Sequence, residues 1–192
     1  MTDRYIRDYW YDHDGCDKII DMFKVAHEEG LTEPGKVGGG DKSDIRPERK
    51  DSMEVSFEDV WQGVIGDDVW GLQDYMNWIT VCYNDYWDHF DLPPPIGIRT
   101  LPQVQYYKPG GGFFFPHIDA EAEVMSRVLV FITYLNDVPD GGTIMVNNDT
   151  TISAKKGKTV IFPAGITHKH VGEISQTQEK YICTGWVEWL PQ

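Results

Sequence analysis

A mainly β fold with helical support (α+β) is what this sequence predicts: a double-stranded β-helix, or jelly-roll, core packed on N-terminal helices. Three observations point there. After Pro95 the chain breaks into short apolar or alternating runs separated by Gly, Pro and Asn, with no helical periodicity between them. Before Pro95, two stretches carry apolar residues at intervals of three and four. The length of 192 residues, 41% hydrophobic and 13% aromatic, suits one domain with a good core. The expected organisation is a single domain over 1–192, with helical support and a glycine-rich flexible loop in 1–95 and the β core in 96–192.

Residues 1–14, rich in Tyr, Trp and Asp, read as an edge strand or an irregular lead-in. The run Asp14-Gly15-Cys16-Asp17 offers helix caps, and Ile19, Ile20, Met22, Phe23 and Ala26 fall at helical spacing, with Gly30 as the stop. Thr32 to Lys50 contains Gly38-Gly39-Gly40 and a short basic patch at 46–50. It reads as a loop, either a surface linker or a flap over a site. A short strand is expected at 55–58. From Asp67 to Phe90 the residues Val69, Leu72, Tyr75, Met76, Ile79, Cys82, Tyr83, Tyr86 and Trp87 form an apolar helical face, ended by Pro93-Pro94-Pro95. The strands expected next are 102–107, 113–119, 127–135, 143–146, 150–153, 158–162, 167–171 and 180–187.

The net charge of −14 disfavours nucleic acid and anionic membranes as partners. The three cysteines, Cys16, Cys82 and Cys183, are odd in number and widely spaced, so neither a disulfide framework nor a zinc ribbon is expected. With no signal peptide and no apolar run of spanning length, a cytoplasmic location is the expectation.

The chemistry centres on His117-Ile118-Asp119. Residues two apart on a strand share a face, so the imidazole and the carboxylate project together. A neutral imidazole beside a carboxylate is most of a facial triad for non-haem Fe(II), which leaves coordination positions open. The third ligand is a histidine from elsewhere, His168 or His170. His13, His27 and His89 have no partner spacing.

Several pieces in order carry a family resemblance: Tyr107-x-Pro-Gly leading into His117-x-Asp119, the Arg127 to Asn136 strand ending Tyr-Leu-Asn, Gly141-Gly142, Gly157 to Phe162-Pro163, His170-Val-Gly172, and Lys180 to Trp186. This segment resembles the catalytic core of the Fe(II)- and 2-oxoglutarate-dependent oxygenases, in the prolyl 4-hydroxylase branch and nearest its small viral and bacterial members. The resemblance implies Fe(II), 2-oxoglutarate and O2 as cofactors, and hydroxylation of an unactivated C–H with release of succinate and CO2. It favours His170 as the third ligand, because Lys180 lies ten positions on and His-x-Gly fits His170. It implies that Lys180 pairs with the distal carboxylate of 2-oxoglutarate, and an inward lysine on an apolar strand needs an anion in any case. By the same resemblance Tyr134 and Thr184 bond that carboxylate, Tyr107 lies near the cosubstrate, Trp186 lies beside its distal carboxylate end, and Arg127 sits near the mouth where it can touch substrate. The leading substrate is a proline in a peptide or protein. Phe113-Phe114-Phe115 stand where family members often carry tyrosine, which puts prolyl specificity in doubt. The alternatives are a same-fold oxygenase acting on a small molecule or another residue, and a non-catalytic cupin-like metal-binding protein using His168 with His170.

Overall fold

A computed structural model describes residues 5–38, 43–62, 70–94 and 96–190. In chain order the elements are β1 (Arg7–Trp10), α1 (His13–Glu28), β2 (Glu33–Pro34), β3 (Lys36–Val37), β4 (Asp44–Ile45), β5 (Met53–Ser56), α2 (Phe57–Gln62), α3 (Leu72–Phe90), β6 (Ile96–Gly97), β7 (Gln103–Tyr107), β8 (Arg127–Tyr134), β9 (Val138–Met145), β10 (Thr150–Ala154), β11 (Lys158–Pro163), β12 (His170–Gly172) and β13 (Lys180–Trp189). One eight-stranded sheet runs β1-β11-β8-β13-β7-β5-β2, with β6 paired to β13, and a three-stranded sheet runs β10-β9-β12. The pairings in both sheets are antiparallel. This is the jelly-roll architecture the strand pattern predicts.

Strict alternation divides each central strand between two cores. On β8, Leu129 and Phe131 turn toward the helices, while Val130, Ile132 and Tyr134 turn toward the smaller sheet. On β13, Tyr181, Cys183 and Val187 take the helix side, and Ile182 and Trp186 the other. Helix α1 packs its stripe of Cys16, Ile19, Met22, Phe23 and Ala26 onto the sheet, and α3 adds Leu72, Tyr75, Ile79, Cys82, Tyr83 and Tyr86. Gly185, at the centre of β13, is required by close approach: a Cβ there would run into the Phe131 ring.

Several expectations are corrected. The N-cap of α1 is Asp12, whose Oδ2 accepts from the Gly15 N–H at 2.8 Å, ahead of the expected Asp14 to Asp17. Residues 67–69 of the expected second helix, Val69 among them, and Pro95 lie outside the described residues. The expected loop at 32–50 contains β2, paired with β5, and a small β3–β4 hairpin. The expected strand at 55–58 starts two residues earlier, and Phe57 begins α2. Residues 113–119 form no strand; their β-bridges are isolated ones, Lys50 with Phe113 and His117 with His170. Pro116 lacks the N–H a ladder needs. The expected 167–171 strand divides into a 3-10 turn at Ile166–His168 and the short β12.

Candidate active site

The inner face of the large sheet lines a cavity of about 950 Å³. Side chains reach it in cross-strand rows: Tyr107 opposite Lys180, Gln105 opposite Ile182, and Gln103 opposite Thr184. Tyr134 and Ile132 continue the second and third rows on β8.

At one end, His117, Asp119 and His170 bring their ligand atoms within 4.8 Å of one another; among the described residues this is the group able to hold a metal ion. The backbone explains the convergence. His117 and His170 exchange both of their N–H to O=C bonds at 2.9 Å, and the Asp119 N–H bonds Ala164 O at 3.1 Å. Each imidazole gives its Nδ1–H to a carbonyl, His117 to Phe115 at 3.2 Å and His170 to His168 at 3.0 Å. That fixes Nε2 as the free lone pair on both rings. Asp119 Oδ1 accepts from the Trp186 indole N–H at 2.9 Å, while Oδ2 is sealed from solvent and accepts no hydrogen bond. It lies 3.4 Å from His170 Nε2, which has no proton to donate when Nδ1 carries it. Burial and the neighbouring His170 push the His117 pKa down to about 4, against the pull of Asp119, so this ring is neutral at pH 7. Two imidazoles with Nε2 left free and a carboxylate with an orphaned oxygen fit Fe(II) and leave positions open.

His168 is outside this group. It sits on the 3-10 turn, not on a strand shared with His170, and its ring stacks near Phe162 at 6.2 Å. Its carbonyl serves the centre by holding His170. The cupin-like pairing of His168 with His170 therefore loses its geometric basis.

Lys180 lies farther along β13, buried, with Nζ 2.8 Å from the Glu173 carbonyl and 5.0 Å above the Tyr107 ring. Burial pulls its pKa down to about 8, with Glu173 and Asp140 pulling the other way. A buried ammonium held mainly by a carbonyl is a receptor for a carboxylate. The Tyr134 hydroxyl pairs with Thr143 at 2.7 Å, the Thr184 hydroxyl donates to Phe131 O at 2.9 Å, and the Tyr107 hydroxyl donates to Gln105 at 2.6 Å. All three residues line the same cavity.

Trp186 stands elsewhere than expected. Six residues from Lys180, roughly 20 Å along an extended strand, it is at the triad end, on Asp119. Arg127 stacks on it, guanidinium 3.5 Å from the ring centroid, with a long 3.4 Å contact to Asp119 O. Sequence reasoning also passed over Gln105, and it placed Lys50 only in a basic patch on a linker or flap and Phe113 only among the phenylalanines that replace tyrosine; all three line the cavity. The period-two pattern Gln103-x-Gln105-x-Tyr107 was the available signal for the first; Lys50 read as part of a surface patch.

Residues 102–188 match the 2OG-Fe(II) oxygenase superfamily. No curated protein matches the chain by sequence. Among solved structures, the viral collagen prolyl hydroxylase of Paramecium Bursaria Chlorella virus-1, in its 2OG complex, is 18% identical with a TM-score of 0.69, covering 98% of both chains. A Pseudomonas putida prolyl-4-hydroxylase is 16% identical with a TM-score of 0.71, covering 98% of this chain and 95% of its own. A Trichoplax adhaerens prolyl hydroxylase, in complex with a hypoxia inducible factor oxygen degradation domain peptide fragment, is 12% identical with a TM-score of 0.71, covering 97% of this chain and 84% of its own. At these identities the likeness establishes the fold. The sequence match covers the segments that carry His117, Asp119, His170 and Lys180, so residues 102–188 resemble a 2OG-Fe(II) oxygenase domain, and this supports a 2-oxoglutarate-dependent dioxygenase using Fe(II) and O2.

Proposed function

We propose that this dioxygenase hydroxylates a proline in a peptide or protein, with His117, Asp119 and His170 holding Fe(II) and Lys180 holding the distal carboxylate of 2-oxoglutarate. The observation that carries the cofactor assignment is one cavity with an orphaned Asp119 oxygen at one end and a buried Lys180 ammonium farther along the same wall. The fold likeness to proteins named as prolyl hydroxylases supports the substrate class, and one of them is described with a peptide.

The bound Fe(II) and 2-oxoglutarate supply the O2-activating chemistry that places one oxygen atom on a C–H, with succinate and CO2 as coproducts. The chain's own residues position the reactants. His170 and His117, locked by their Nδ1–H bonds, present lone pairs in fixed directions. The Trp186 N–H occupies Asp119 Oδ1 and leaves Oδ2 to the metal. Val130 and Ile132 give the wall an apolar strip between the triad and the polar groups around Lys180. Lys180 would exchange its carbonyl partner for a carboxylate, and the Tyr134 hydroxyl on the same wall can donate to it when Thr143 supplies the proton of their shared bond, whereas Thr184 would first have to release Phe131 O. The mouth is bordered by residues of the 33–49 segment, Glu33, Lys36, Asp44, Arg46 and Arg49. A cavity near 950 Å³ is larger than a five-carbon dicarboxylate needs and leaves room for a substrate side chain.

Mass spectrometry of proline-containing peptides incubated with the Fe(II)-loaded enzyme, 2-oxoglutarate and O2 tests the substrate. The expected result is one added oxygen on a proline. Steady 2-oxoglutarate turnover on a small molecule, with every peptide unmodified, would replace the prolyl reading.

A further inference from the structure

We propose that Phe113, clamped by Lys50, is a positioning residue that sets the ring plane of His117 and so the metal affinity. The inference rests on the reading of His117 as a metal ligand.

The two histidines of the centre are held very differently. His170 is the first residue of β12, inside a ladder with β9, and its ring meets Phe162 edge-on at 5.1 Å. His117 belongs to no strand. Its backbone has the single bridge to His170, and its Nδ1–H bond to Phe115 is the longer of the two. The parallel partner of the His117 ring is Phe113, stacked at 3.8 Å between centroids with 13° between planes. A flat stack fixes the plane of an imidazole; a branched aliphatic side chain fills the same space and fixes no plane.

Phe113 is itself fixed from the N-terminal half of the chain. Lys50 Nζ lies 5.7 Å from the Phe113 centroid, and the two residues form a β-bridge. Backbone bonds flank the bridge, Asp51 N–H to Gly112 O and Phe114 N–H to Arg49 O, both 2.9 Å. Lys50 is only 6% exposed and is paired with Glu54, whose Oε1 also accepts from Ser52 Oγ at 2.8 Å. Isolated burial of a lysine is costly, so the pair holds the ammonium in one place against the ring. The order Glu54, Lys50, Phe113, His117 thus reaches from β5 to the metal centre, and its first two members lie outside the matched 102–188 segment.

The test is anaerobic titration of the whole protein with Co(II), read by its visible d–d absorption, on wild type, Phe113→Leu, Phe113→Tyr, Lys50→Met and Ile79→Val. Ile79→Val on α3 loosens the distant helix core and serves as the stability control. Partners that orient a ligand typically change metal affinity by about tenfold or more when lost. Phe113→Leu is expected to weaken Co(II) by about that factor and to alter its band shape. Phe113→Tyr keeps the wild-type spectrum, Lys50→Met weakens binding less than Phe113→Leu, and Ile79→Val leaves the affinity unchanged. Wild-type affinity and band shape in Phe113→Leu would overturn the proposal while leaving the metal reading intact. A wild type that takes up no Co(II) would overturn both.

Discussion

The two faces of the large sheet are made from the same strands and are put to opposite uses. On the helix side, the hydroxyls at the centre of the core satisfy one another, though the indole N–H groups of Trp70 and Trp78 at its edge do not: Tyr75 OH pairs with Thr133 Oγ1 at 2.8 Å, and Thr133 with Thr159 at 2.7 Å. Around them Phe131, Tyr75, Ile79 and Met22 are almost wholly buried. On the cavity side, the polar groups that define the site lack a matching partner: Asp119 Oδ2 accepts no bond, and the Lys180 ammonium faces a carbonyl. One face is closed mainly by folding, and the other keeps groups open to a ligand. Placing unmatched charge on a sheet requires that the opposite face supply the stability.

Substitutions separate the two faces. The largest expected effect on folding comes from the helix side: Phe131→Ala should cost about 3–5 kcal/mol in urea unfolding. Gly185→Ala, which drives a methyl into the Phe131 ring, should cost about 1–3 kcal/mol. Neither residue lines the cavity, so 2-oxoglutarate binding to the folded fraction should persist; its loss in Gly185→Ala would mean that the faces are not independent.

The cavity side should show the reverse. Lys180→Met should abolish 2-oxoglutarate binding in calorimetry and yet raise the unfolding free energy of the cofactor-free protein by about 1–3 kcal/mol, because a desolvated charge is removed. A destabilised Lys180→Met protein would show that the ammonium is already well paired without ligand.

The pH dependence sharpens the same point. Lys180 titrates near 8 in the folded chain against an ordinary 10.5, so between those values the unfolded chain holds more protons. Stability of the cofactor-free protein should therefore rise as pH goes from 8 to 10.5, while below pH 8 the full penalty is carried. The urea midpoint should be higher at pH 9.5 than at pH 7.5 in wild type by more than in Lys180→Met. Equal pH slopes in the two proteins would remove Lys180 as the cause.

The core strands were legible because burial on both faces writes itself into the sequence. The near-continuous apolar runs from Val128 to Tyr134 and from Tyr181 to Val187 gave β8 and β13 almost to the residue. Helix α1 was legible from its stripe, though not its cap, since Asp12 competes with Asp14 and Asp17 within five positions. What stayed hidden depends on distant pairing. Glu33 and Pro34 join the sheet through β5, and nothing local in a glycine-rich run announces that. Lys50 read as a surface charge because its partner Glu54 and the Phe113 ring converge only in three dimensions. That His117, Asp119 and His170 come together was legible, yet their support was read wrongly: His117 stands on an irregular segment and His168 on a 3-10 turn, where period-two logic does not apply. Trp186 was expected near the far carboxylate, whereas its indole N–H selects which Asp119 oxygen stays free.

The most direct measurement is anaerobic addition of Fe(II) and 2-oxoglutarate, following the weak visible charge-transfer absorption of the chelate, in wild type, His170→Ala and His168→Ala. The account predicts absorption in wild type, none in His170→Ala, and a retained band in His168→Ala, since only the backbone carbonyl of His168 touches the centre. Absorption that survives His170→Ala and disappears in His168→Ala would contradict the assignment of His117, Asp119 and His170 as the metal-holding group.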